Sequence, residues 1–196
     1  MHPYSINSSE RERVTCFIAL VSTVAALLVN RFFVSHGTVL PWWLDAPSVT
    51  LIFGLLYSLF DRSVWRWRVL HRTGLICTPN LGGTWLGSVT SSVDGGVECH
   101  EATLVVEQHW TRISVSMKTA KSKSSSVVAA MIGETASRTT LCYEYRNEPV
   151  PCAEKEMHAH RGSTQLTIGR DSRVLEGEYY TGRDRQTHGS MRFELQ

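Results

Sequence analysis

The sequence predicts a membrane α-helical hairpin joined to an all-β domain: two N-terminal transmembrane helices, then an eight-stranded antiparallel up-and-down β-barrel. Three observations carry this. Two uncharged apolar runs fall in the first 60 residues, each closed by arginine. From Asn80 onward the apolar residues alternate with period two. No apolar stripe of helical length interrupts that alternation.

The first run spans Val14 to Asn30, with Arg31 and then Phe32, Phe33 and Val34 behind it. The second spans Ala46 to Phe60, with Pro41, Trp42, Trp43 and Leu44 ahead of Asp45. A hydrocarbon core of roughly 30 Å requires about 20 helical residues. Both runs reach it once the flanking aromatics and Arg31 lie at the interface, where Trp belongs and Arg snorkels. A cleaved signal peptide is the competing reading of the first run, with Arg11 and Arg13 as its basic region, but no small-x-small cleavage site closes it. A buried hairpin of a soluble protein is the other, and neither run shows the polar stripe that would give.

Basic residues set the orientation. Arg11 and Arg13 precede the first span, while Arg62, Arg66, Arg68, His71 and Arg72 follow the second. The link between them carries only Arg31 and His36 against Asp45, so both termini are expected in the cytoplasm. Ser63 to His71 interleaves Trp65 and Trp67 with Arg66 and Arg68, as a helix end at an anionic headgroup layer would. Nucleic-acid binding is the lesser reading of that pattern. The net charge of +2 demands no polyanion, so no DNA or RNA partner is expected.

Thr73 to Pro79 marks the expected boundary between a two-helix region, 1–78, and a cytoplasmic β-domain, 79–196. The five cysteines have no Cys-x-x-Cys spacing and read as free thiols of a reducing compartment. Strands are expected near 84–92, 100–110, 112–120, 125–133, 139–146, 163–169, 173–181 and 187–195, with Gly, Asn and Asp turns between them. Eight such strands close into a barrel and remove their own edges. A two-sheet sandwich is the structural alternative.

Parity then says what faces inward. Leu175, Gly177, Tyr179 and Thr181 share one face, which continues to Arg183 and Arg185 if the strand does. Ile113, Val115 and Met117 lead to Thr119 and Lys121, and the fifth strand adds Tyr143 and Tyr145. The pattern is an apolar floor under a rim of Thr, Tyr, Lys and Arg, suited to an anionic ligand with flat bases. The plainer reading makes Arg183 to Arg185 a solvated hairpin tip. His158 and His160 share a strand face without an acidic third ligand, so no metal is expected. No nucleophile elbow, Walker loop or dinucleotide fingerprint appears, and the chain reads as a non-enzyme without a cofactor.

At these residues a resemblance emerges. Asn80-Leu81-Gly82-Gly83-Thr84-Trp85-Leu86-Gly87, Gln108 to Val115, Thr119 to Ser124 and Leu175 to Arg185 follow the two spans in order. The chain resembles the two-transmembrane β-barrel effectors of CBASS, the bacterial cyclic-oligonucleotide anti-phage signalling systems (the CD-NTase-associated, SMODS-associating 2TM β-strand-rich family). The resemblance implies a barrel that senses a cyclic dinucleotide, self-assembly on binding, and disruption of the inner membrane that kills the infected cell. The candidate ligand residues are the inward positions within those motifs. Arg183 and Arg185 would take the phosphates. Tyr179, Tyr143 and Trp110 would stack bases, with Thr119, Ser122 and Thr181 supplying hydroxyls. A membrane-tethered carrier or sensor of a small apolar ligand is the alternative function, and a purely structural anchored subunit is the third.

Overall fold

The computed structural model describes residues 1–38, 42–96, 98–133, 139–150, 158–169, 173–183 and 186–196, with backbone alone for 42–46 and 94. Its elements are β1 (His2–Ile6), α1 (Glu10–Ser35), α2 (Trp42–Arg62), a 3-10 turn (Val64–Arg66) and α3 (Arg68–Arg72). The strands β2 (Gly83–Thr90), β3 (Cys99–Gln108), β4 (Arg112–Thr119) and β5 (Ser122–Gly133) follow. After them come β6 (Thr139–Pro149), β7 (His160–Ile168), β8 (Val174–Thr181) and β9 (His188–Leu195). The chain forms two compact units, one of Ser8–Cys77 and the other of Met1–Asn7 with Thr78–Gln196.

In the helical unit, α1 and α2 pack on each other. At 1.5 Å per residue, α2 is about 31 Å long and α1 about 39 Å. The buried side of α1 is one stripe at a four-residue interval: Glu10, Val14, Ile18, Ser22 and Ala26. Small Ser22 and Ala26 let a neighbour come close, and the Ser22 hydroxyl is satisfied by the Ile18 carbonyl at 2.6 Å. Between Arg13 and Arg31 the rest of α1 is exposed and mostly apolar, and Phe17, Leu20, Leu27, Leu28 and, just past Arg31, Phe32 are each more than half exposed. Among the described residues α1 is long and apolar enough to cross a membrane. On α2, Leu51, Leu55 and Leu59 are likewise exposed.

In the second unit the eight expected strands are present, and consecutive strands are antiparallel neighbours around a closed barrel. The count differs from eight, however, because a ninth strand is built in. Near the mouth β4 and β5 pair directly, as Ser116↔Ser125, Met117↔Ser124 and Lys118↔Lys123. Then β5 bulges between Ser126 and Val128 and turns away. The gap takes β1, antiparallel to β4 at His2↔Ile113 and parallel to β5 from Tyr4↔Ala129 to Ile6↔Met131. Ser126 pins the branch point: its hydroxyl accepts from Val115 N at 2.9 Å and bonds His2 Nε2 at 2.7 Å. The barrel unit therefore takes in Met1–Asn7 together with Thr78–Gln196.

The core is the inward series of every strand, including Trp85, Leu104, Ile113, Leu141, Leu166, Leu175 and Phe193. Buried Gln108 gathers three segments at one end. It accepts from Leu81 N at 2.7 Å, and its amide donates to the Pro79 carbonyl at 3.0 Å and the Tyr4 hydroxyl at 3.3 Å. Trp85 donates its indole N–H to the Leu81 carbonyl at 2.9 Å at the same end. That end is plugged.

Candidate functional site

The opposite end is hollow. A cavity of about 410 Å³ opens there, among the turns that join β4 to β5 and β8 to β9, the segment that follows β2, and the mouth ends of β6 and β7. Its floor is Val89, Met117 and Met191, and its walls include Tyr145 and Tyr179. The rim carries Ser91, Glu98, His100, Glu101, Thr119, Lys121, Ser122, Asn147, His160, Thr181 and Thr187.

Two glycines create the space. Tyr145 pairs across the ladder with Gly162, and Tyr179 with Gly189. A Cβ on Gly162 would lie 2.4 Å from the Tyr145 hydroxyl, and one on Gly189 would lie 2.7 Å from Tyr179 Cε1. Each ring therefore lies over its neighbour's bare backbone, a flat wall instead of a plug. Both tyrosines are under a tenth exposed. Tyr145 meets the His160 ring edge-on at 6.5 Å between centroids.

Hydroxyls brace the rim. Thr119 Oγ1 accepts from Ser122 N at 3.1 Å and lies 3.2 Å from the Ser122 hydroxyl, closing the β4–β5 turn. Thr181 Oγ1 does the same for the β8–β9 turn, accepting from Thr187 N at 2.7 Å and donating to the Thr187 carbonyl at 3.0 Å. Each of these two hydroxyls is committed to its turn through three contacts, to the N–H, the carbonyl and the hydroxyl of one residue.

The expected site residues divide accordingly. Tyr179, Thr181, Thr119 and Ser122 come together on the cavity lining. Tyr143 lies one step deeper, buried in the core beneath Tyr145. Trp110 is fully buried but sits beyond β3 at the plugged end, because the β3–β4 connection lies there; parity set its face and not its depth. The seventh expected strand, here β8, stops at Thr181. Its turn is closed by Thr181 N to the Thr187 carbonyl at 2.8 Å, which leaves Arg183 exposed in the turn and outside the lining. Arg185 lies outside the described residues. Sequence reasoning passed over Asn147, His160 and His100 as ligand contacts. Asn147 and His160 continue inward series, but Asn147 reads locally as a turn residue.

Burial pushes the Tyr143 phenol up to about 12, against a smaller opposing effect of the Thr164 hydroxyl across the ladder. A folded-state value above the unfolded one means stability is intact below about pH 10 and is lost as pH rises toward 12. A shift of this size corresponds to roughly 3 kcal/mol. Alkaline unfolding of the barrel is expected to show this slope between pH 10 and 12, and Tyr143→Phe is expected to remove it.

Comparison with known proteins matches two family descriptions to this chain. "Cap15, cyclic dinucleotide receptor domain" covers residues 76–195, and "Cap15, TM helices" covers residues 12–66. CD-NTase-associated protein 15 of Yersinia aleksiciae is 32% identical over 136 residues, which are 69% of this chain and 64% of that protein. The match thus spans slightly less than two thirds of that relative's length. CD-NTase-associated protein 15 of Staphylococcus schleiferi is 22% identical over 154 residues, 78% of this chain and 80% of that protein.

Proposed function

This chain belongs to the Cap15 family, with its receptor-domain and transmembrane-helix descriptions both matched, and from that premise we propose that the mouth cavity of the barrel receives a cyclic dinucleotide. The observation that carries this reading is the cavity itself: about 410 Å³, walled by two tyrosine faces and rimmed by hydroxyls, imidazoles and Lys121. Its size suits a small-molecule ligand. Tyrosine faces stack bases, worth roughly 1–3 kcal/mol per base. Hydroxyls and cations suit ribose and phosphate. The chain acts by binding and not by catalysis.

Binding is relayed to the membrane by assembly of several copies, and the helices then disrupt the bacterial inner membrane, the abortive response of an antiviral system. Two spans with both termini cytoplasmic is our reading: the arginines flanking the spans favour that side, and the barrel's topology supports both ends lying on the same side. Residues 2–6 and 83–195 share one barrel, so the chain between them crosses a bilayer an even number of times. The long apolar exposed face of α1 and the exposed leucines of α2 fit lipid contact.

The test is a thermal-shift titration of the full-length protein in lipid nanodiscs against a panel of cyclic dinucleotides. A cognate ligand should raise the barrel's midpoint as its concentration passes its dissociation constant. No shift with any member, together with co-purified lipid in the cavity, would instead support an apolar-ligand carrier. Lys121→Ala is expected to weaken binding about tenfold or more through a lost charge-assisted contact. Exposed Arg183, outside the lining, is expected on alanine substitution to change affinity by less than about fivefold.

A further inference from the structure

Most polar side chains at the mouth already hold something. Thr119, Ser122, Thr181 and Thr187 close turns, and His160 Nδ1 bonds the His158 carbonyl at 3.0 Å. Asn147 does not. It lines the cavity, is only 5% exposed, and its carboxamide makes no hydrogen bond to any described residue. On the β6 inner face it stands one step toward the mouth from Tyr145. Ser124 is its ladder partner on β5 and His160 on β7.

The amide faces an open cavity, so water can satisfy it when the site is empty, and no turn or neighbouring strand needs it. Its remaining use is toward whatever fills the cavity. We infer that Asn147 reads the edge of one base of the ligand, and that this base is adenine. This rests on the cavity being the nucleotide site, as proposed above.

The chemistry selects the base. A carboxamide presents an acceptor beside a donor, so it pairs with an edge that shows a donor beside an acceptor. Adenine shows its exocyclic amine beside a ring nitrogen on both of its open edges. Guanine offers two adjacent acceptors on one edge and a matching pair only on the other. The amide therefore meets adenine in either presentation, as Asn does in adenine recognition generally. Tyr145 and Asn147 are successive inward residues of one strand, about 7 Å apart along it, so a purine lying on the ring brings its edge to the amide.

The experiment measures binding of cyclic di-AMP and cyclic di-GMP by calorimetry to the full-length protein in nanodiscs, for wild type, N147L and N147D. Wild type is expected to prefer cyclic di-AMP. N147L should weaken cyclic di-AMP roughly 5- to 150-fold, the worth of one bidentate pair, and change cyclic di-GMP by less than about threefold. Its midpoint without ligand should be unchanged or higher. N147D keeps the shape but loses the donor, and should weaken cyclic di-AMP similarly; it carries the test if N147L does not fold. A wild-type preference for cyclic di-GMP, or a preference for cyclic di-AMP untouched by both variants, overturns the assignment of Asn147 and leaves the cavity reading standing. Equal weakening of both ligands likewise overturns it. Failure of the wild type to bind either these ligands or any other cyclic dinucleotide overturns both.

Discussion

Removing residues 2–7 is expected to cost the barrel most of its stability, although those residues precede the membrane helix and lie over a hundred positions from their partners. Tyr4 is 3% exposed within the core and touches the buried Gln108 amide through its hydroxyl. Losing such an aromatic alone costs about 3–5 kcal/mol. For a domain of this size that lowers the thermal midpoint by about 10–20 °C. Deletion further opens the seam where β4 and β5 diverge, exposing two strand edges that invite aggregation. Calorimetry of the full-length protein and of the truncated form measures the difference. Tyr4→Phe keeps the ring and loses the hydroxyl's long hydrogen bonds of 3.3–3.4 Å, so it should cost far less than the deletion, about 1 kcal/mol. Equal midpoints for the truncated and intact proteins would remove β1 from any account of the fold.

Gly162→Ala is expected to abolish ligand binding while the barrel still folds. Its new Cβ would lie 2.4 Å from the Tyr145 hydroxyl and 2.5 Å from the Tyr180 carbonyl oxygen. The carbonyl is backbone of a strand neighbour, too close to stay where it is, so the two strands must part locally, an overpacking cost at the upper end of about 1–3 kcal/mol. The ring has farther to go, and the free volume beside it is the cavity. Binding of a cyclic dinucleotide that saturates wild type should become undetectable, with the far-ultraviolet circular dichroism of a folded barrel retained. Gly182→Ala is the control, since its added Cβ has only an ordinary contact, 3.4 Å from the Arg161 carbonyl. Retained affinity in Gly162→Ala would mean that the tyrosine walls do not form the ligand surface.

The eight strands of the meander were legible because each has one wet and one dry face, and a period of two records that directly. The inward series on β4, β6 and β8 follow from it. β1 was not legible. His2-Pro3-Tyr4-Ser5-Ile6 is short, carries a proline and finds its place only because β5 bulges at Val127, a distant event that leaves no local mark. Trp110 shows the limit of parity, which gives a side chain's face and not its height in the barrel. Arg183 fell outside the lining because Thr181 closes a turn, whereas the inward series assumed a strand that ran on past Gly182. Asn147 was obscured by its neighbours Glu148 and Pro149, which read locally as a turn although the strand continues through them.

The seam strand also fixes an order of events during synthesis. Tyr4 leaves the ribosome well before Ala129, its partner, which is made 125 residues later. Throughout that interval the amino-terminal tip must remain unpaired while the apolar helices are threaded into lipid. The seam can therefore form only once β5 has been made, and a long-range pairing of this kind is intrinsically slow.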